Sequence, residues 1–281
     1  CIPAEETPTS MASLMIGKEL PVPEHGTPTE LGDVCPQLNR LSKVSDDPFG
    51  TDLQDIDIEL RAGEILGIAG VSGNGQQELL YALSGEVPGD DADAIVICGQ
   101  ASGCDMPDRR RLNGMGFVPE ERLGRGAVPR MSLTENALLT AHRANMLRHG
   151  MIQFDRIAEF ARKCISDFNV KCGGEEHAAN SLSGGNLQKF IMGREILLAP
   201  KLLVVAQPTW GVDVGAAAFI RQRLIDLRDE GTAILVISEE LEELFEISDR
   251  IAVIADGRLS PSKKLADTNI DEIGVWMSGM W

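Results

Sequence analysis

The sequence predicts an α/β fold: a sandwich of alternating strands and helices with a hairpin addition and a helical insertion. Three observations point to it. Short apolar runs recur along the chain ("EILGIAG", "KLLVVAQP", "TAILVIS"), each compact enough for a buried strand and each followed by a helical stretch. A glycine-rich turn, "GVSGNG" at 70–75, separates one such strand from the helix behind it. The chain has 281 residues, 43% of them hydrophobic, enough to bury a core in one large domain or two small ones.

Residues 1–45, rich in Pro, Glu and Thr, are expected to be a tail and linker, with "SMASLMIGKEL" as a short candidate helix. "LQDIDIEL" alternates apolar and polar side chains as a half-buried strand does, and "EILGIAG" at 64–70 follows as a buried strand. In "QQELLYALSG", Leu79, Leu80 and Leu83 share a helical face and Gly85 marks the stop. "GMGFVPEE" supplies another strand, then the loop "ERLGRGAVPR" opens the insertion, expected over about 122–180. It runs from "SLTENALLTAHR", with Ser132 or Thr134 as cap, to "DRIAEFARKCISDF". "NLQKFIMGREILLAP" carries Leu187, Phe190, Ile191 and Leu198 at helical spacing and ends before Pro200. Strand "KLLVVAQP", a helix stopped by Gly231, strand "TAILVIS", helix "EELEELFEIS" and a hairpin turning at Asp256-Gly257 complete the domain. Its expected limits are 46–260, with 261–281 as a C-terminal tail.

Composition narrows the function. With 43 acidic against 26 basic side chains the formal charge is -17, which repels nucleic acid and argues against it as a partner. The longest apolar runs fall far short of the roughly 18 residues of a membrane span. Six cysteines lack C-x-x-C spacing, so free thiols and no metal site are expected. The chain begins with Cys1 and shows no basic-plus-apolar leader, which reads as a fragment of a longer polypeptide.

Two motifs carry chemistry. Gly70 and Gly75 stand at the glycines of the phosphate-loop pattern G-x-x-x-x-G-K-[ST], but Gln76 replaces the lysine and Gln77 the hydroxyl residue. The turn still offers backbone N–H groups from Ser72 through Gly73, Asn74 and Gly75 to Gln77, so it holds phosphate weakly or survives as a packing turn. In "NSLSGGNLQKF", Ser183 offers a hydroxyl, Gly184 and Gly185 allow close backbone approach, and the helix dipole favours an anion beside Asn186.

"LSGGNLQK" resembles the signature of ABC-type ATPases, with Lys189 at or beside the usual basic position. Taken with "GIAGVSGNGQQEL", "FVPEER", "AQPTWGVDVGA" and "ISEELEE", it extends the resemblance over roughly 51–260. The set is similar to the second ATP-binding half of the tandem ABC ATPases that energise uptake of simple sugars and nucleosides. That resemblance implies a P-loop NTPase fold of ABC type, with a mixed sheet core, an N-terminal antiparallel β part and a helical insertion subdomain. It implies ATP, mainly as Mg-ATP at a site shared with the N-terminal ATPase half of the same polypeptide, with residues 1–45 as the end of that half. Membrane permease subunits, an extracytoplasmic solute-binding protein acting indirectly, and a peripheral place on the cytoplasmic face of the plasma membrane are implied too.

Departures from the family pattern bear on mechanism. The Asp-Glu pair that supports Mg²⁺ and polarises water is replaced by Ala206 and Gln207, the switch histidine by Glu239, and the glutamine after "GFVP" by Glu120. This half is expected not to hydrolyse ATP at its own loop, while Ser183, Gly184, Gly185 and Asn186 cap the partner's ATP. Asp213 falls at the D-loop position and is equally a helix cap. Trp210 stands where Arg is common, and Arg122 and Arg125 are either solvated charges or border a groove for a membrane-subunit helix. Two other readings are a non-hydrolytic regulatory or scaffold module, and an ABC ATPase of DNA repair, which the acidic charge disfavours.

Overall fold

A computed structural model describes residues 31–281; the candidate helix at 10–20 lies outside the described residues. The strands are β1 (Val34–Lys43), β2 (Leu53–Arg61), β3 (Ile65–Ala69), β4 (Ile95–Ile97), β5 (Gln100–Ala101), β6 (Met115–Val118), β7 (Leu147–Arg148), β8 (Met151–Ile152), β9 (Leu202–Ala206), β10 (Ala233–Ser238), β11 (Arg250–Ala255), β12 (Arg258–Leu259) and β13 (Lys263–Lys264). The helices are α1 (Gln76–Ser84), α2 (Pro107–Leu112), α3 (Leu133–Ala141), α4 (Phe154–Asp167), α5 (Gly184–Ile196), α6 (Val214–Asp229), α7 (Leu241–Ile247) and α8 (Ile270–Trp276).

Five parallel strands in the order β11-β3-β10-β9-β6 form the central sheet, extended antiparallel by β12 and β13. Both faces of this sheet are covered, which is why its strands read as unbroken apolar runs. Ile65, Leu203, Val205, Ile234 and Val236 face a core shared with α3 to α8. Leu66, Ile68, Val204, Leu235 and Ile254 face the opposite way, towards the antiparallel sheet β2-β1-β4-β5. Helix α1 lies in this second core through Leu79, Leu80 and Leu83, so the helix behind the glycine turn is held between the two sheets. The fold class predicted from the sequence is therefore the one observed.

The structure corrects three boundary and bonding expectations. Strand β1 lies inside the stretch expected as linker and contributes Cys35, Leu38 and Leu41 to the core. Register shifts break its pairing with β2 in three places, so its buried residues do not alternate and the stretch has no period-2 signature. The expected tail at 261–281 contains β13 and α8; Asn269 caps that helix by accepting the Glu272 N–H, and Ile273 and Trp276 are buried beneath it. Cys35 and Cys98, expected as free thiols, form a disulfide with Cα atoms 4.6 Å apart. The antiparallel register that pairs Gln37 with Val96 brings these positions face to face.

The insertion carries α3, the β7–β8 hairpin and α4, the last with Ile157, Ala161 and Cys164 turned inward. Ser132 caps α3 in a reciprocal capping box with Glu135. Among the described residues, no helix is long and apolar enough to cross a membrane.

Candidate functional site

The glycine turn opens into a cleft of about 790 Å³ at the ends of β3, β9 and β10. Parallel strands ending on one edge, with loops diverging above them, leave such a crevice. Ser72, Gly73, Gln76 and Gln77 line one wall, and Glu120, Gln207 and Glu239 another, with Gly184 also at its border. Residues far apart in sequence, all named from motifs, thus meet in one place.

Within the turn, the Gln76 carboxamide folds back onto the loop that carries it. Its Nε2 donates to the Val71 carbonyl at 2.8 Å, and its Oε1 accepts the Asn74 N–H at 3.1 Å. A Cβ at Gly70 would lie 2.6 Å from that Nε2, so glycine is required for the side chain to fold back. Gly75 starts α1 with a left-handed backbone, φ 106°. Asn74 faces away from the cleft: its Oδ1 accepts the Asp256 N–H at 3.0 Å, and its carbonyl accepts the Gly257 N–H at 3.0 Å. Gln77 donates to the Tyr81 hydroxyl.

Gln207 is held in a left-handed conformation, φ 47°, at the end of β9. Its Oε1 accepts from the Glu239 N–H and the Ser238 hydroxyl, each at 3.3 Å, so the carboxamide joins the ends of β9 and β10. Beneath it the buried Glu243 accepts from the Thr209 hydroxyl at 2.5 Å. Burial pushes the Glu243 carboxyl up from its ordinary value, against the pull of its hydroxyl partners. Desolvation and the facing Glu239 charge likewise raise Glu120, partly offset by Arg125.

The signature residues sit at the start of α5. Asn186 Nδ2 donates to Ser183 Oγ at 2.9 Å, and a Cβ at Gly185 would lie 3.0 Å from Asp213 Oδ2. Asp213 caps α6 by accepting the Ala216 N–H at 2.9 Å, and Ser183, Gly185, Asn186 and Asp213 do not line the cleft of the glycine turn. Arg122 packs against Gly184 and donates to the Trp210 carbonyl, while Arg125 pairs with Glu86 and stacks over Tyr81 at 4.6 Å. Sequence reasoning missed Phe49, 97% exposed at the cleft's edge. Its one signal was an aromatic in the otherwise polar turn "SDDPFGTD".

At the positions where the family pattern places Mg²⁺ ligands, the Ala206 side chain offers no donor atom, Gln77 is turned to Tyr81, and Gln207 Oε1 is already engaged. Among the described residues no group of three or more His, Cys, Asp or Glu side chains is disposed to hold a metal.

The fold and the glycine turn between β3 and α1 define an α/β domain of the ATP-binding cassette fold. The profile of the ABC transporter family matches residues 53–210, more than half of the chain, and the chain belongs to that family. It is 38% identical over 276 residues to the nucleoside import ATP-binding protein NupA of Lactococcus lactis, covering 98% of this chain and 54% of that protein. It is 37% identical over 270 residues to the guanosine import ATP-binding protein NupO of Bacillus subtilis, covering 96% of this chain and 52% of that one. The chain therefore spans about half the length of these relatives. A solved ATP-binding subunit of an ABC transporter superposes with TM-score 0.70 at 20% identity, over 87% of this chain and 99% of the other, a likeness of fold alone.

Proposed function

We propose that this chain is the second, catalytically degenerate ATP-binding half of an ABC importer for nucleosides or simple sugars. The names and half-length coverage of NupA and NupO support the class of solute and the tandem arrangement. One observation carries the mechanism: a glycine turn closed by its own Gln76 coexists with an unaltered Ser183-Gly184-Gly185-Asn186 at the start of α5. A chain that cannot activate water at its own loop still presents backbone amides and a helix dipole to an anion on a facing half. Ser183 to Asn186 then complete the partner half's Mg-ATP site, and Asp213 lies at the contact between halves. Permease subunits dock on this domain at the cytoplasmic face, with a solute-binding protein acting on their far side.

The test is steady-state ATP hydrolysis by the full tandem polypeptide. Ser183→Arg abolishes turnover, because the arginine blocks approach to the partner's phosphate, and Gln76→Ala barely changes it. Turnover that survives Ser183→Arg refutes the composite site. A full-length protein with no turnover, even with permeases bound, instead supports the non-hydrolytic scaffold reading that Ala206, Gln207 and Glu239 also motivate.

A further inference from the structure

We propose that Arg122 is a positioning residue: its guanidinium fastens the start of the signature helix α5 to the turn that follows β9, so that Ser183–Asn186 and Asp213 meet the partner half as one surface. The inference rests on the reading that these residues complete the partner's ATP site, and it names what holds them in place.

The two segments are distant in sequence and lie close together at their glycines. A Cβ at Gly184 would lie 3.5 Å from the Gly211 carbonyl oxygen, and one at Gly185 would lie 3.0 Å from Asp213 Oδ2. The root of the turn is fixed by Thr209, whose hydroxyl donates to the buried Glu243, and its end by Asp213, which caps α6. Its crest, Trp210 and Gly211, is held by Arg122.

Arg122 reaches both sides of this junction. Its Nη2 donates to the Trp210 carbonyl, and its Nη1 fills the space in front of Gly184, where a Cβ would lie only 2.5 Å away. A Cβ at Gly211 would lie 3.1 Å from Nη2, and that residue is left-handed, φ 62°, so glycine suits it for two reasons. The planar fork of a guanidinium places two nitrogens against two backbones at once, which a single ammonium does not.

The attachment of Arg122 suits such a staple. Its carbonyl accepts the Ala127 N–H at 2.7 Å, and in the same loop the Gly126 carbonyl accepts from Arg194, in the last turn of α5, at 2.9 Å. The side chain thus returns to the start of the helix whose far end already anchors its loop. Ion pairing does not account for the placement. Burial works against the charge, and among the described residues Arg122 bonds to the neutral Trp210 carbonyl, whereas Arg125 pairs with Glu86.

The experiment measures Mg-ATP hydrolysis by the full tandem polypeptide, unmodified and as Arg122→Ala and Arg122→Lys, together with hydrogen exchange at the amides of Leu187, Trp210 and Val212. Each of these amides makes a backbone hydrogen bond at the junction. Arg122→Ala is expected to lower kcat about tenfold or more and to leave KM within about twofold, because the partner's loop still holds the nucleotide and only its cap is displaced. Arg122→Lys does not restore kcat. All three amides exchange faster in Arg122→Ala while those of α4 keep their rates, a result that reads the junction whether or not the polypeptide turns over ATP. The proposal is overturned by an unaltered kcat, by a loss confined to KM, by full recovery in Arg122→Lys, or by exchange unchanged at Leu187 or at Trp210 and Val212. Failure of the composite-site reading shows separately, as turnover that survives Ser183→Arg; failure of this inference alone shows as turnover abolished by Ser183→Arg yet indifferent to Arg122→Ala.

Discussion

The Arg111 guanidinium stands 2.6 Å from the Glu195 carboxylate, joining α2 to the far end of the signature helix α5. Glu195 is fully buried, and its second oxygen meets Arg194 Nε at 3.2 Å. Arg194 in turn donates to the carbonyls of Asn136, at 3.1 Å, and Gly126, at 2.9 Å. One ionic network thus ties α5 to α2, to α3 and to the loop that follows Glu120, the parts whose relative placement decides where the signature points.

Glu195→Ala removes the anion and leaves two cations facing each other, one of them buried. The expected cost is about 3–5 kcal/mol, read from urea unfolding. The wild type shows a matching acid dependence. Burial opposes ionisation of Glu195, but Arg111 and Arg194 outweigh it and hold the carboxyl below its ordinary range. With the folded value depressed, the contribution is present above the unfolded pKa of about 4.3 and is lost as pH falls through the folded value. Urea midpoints measured down the acid range fall less steeply in Glu195→Gln than in the wild type.

Arg110 is buried and donates to the Leu83 carbonyl at 2.7 Å, Asp105 at 2.9 Å and Gly103 at 3.1 Å, as well as to Ala82. Burial lowers its pKa to about 10, and it remains a cation at neutral pH. Set at the C-terminal end of α1, it satisfies helix carbonyls that otherwise lack donors. Arg110→Ala orphans them at an expected cost of about 3 kcal/mol, with faster amide exchange in α1 than in α4. Arg110→Lys recovers only part, because an ammonium cannot span four carbonyls in the plane of a guanidinium.

Asn136 is buried within the insertion, where its Oδ1 accepts the Val128 N–H at 2.7 Å and its Nδ2 faces the carbonyls of Val128, Met131 and Ser132. Asn136→Ala leaves loop groups 128–132 unsatisfied and costs about 2–3 kcal/mol. Limited proteolysis cuts this loop first in the variant; an unchanged cleavage pattern contradicts the role.

Much of the fold was legible because its signals are local. The Asp256-Gly257 turn, with φ 49° and 70°, and the Gly75 start of α1 depend on which residues tolerate a left-handed backbone. The buried strands β9 and β10 announce themselves by composition, and Asp213 by its position before a helix. Strand β1 was not legible, since bulges erase its alternation, and the Cys35–Cys98 bond depends on a strand pairing across 63 positions.

The same division holds at the site. By itself the sequence determined which chemical groups are present: a glycine turn without lysine, Ala206 and Gln207 without carboxylates, and Ser183 to Asn186 at a helix start. Only the tertiary structure decided how those groups are used. Gln76 folds back onto Asn74 and Val71, Gln207 binds across to β10, and Phe49 comes to the edge of the cleft. Residue type sets what a side chain can donate or accept, but the partner it meets is chosen by packing among elements distant in sequence.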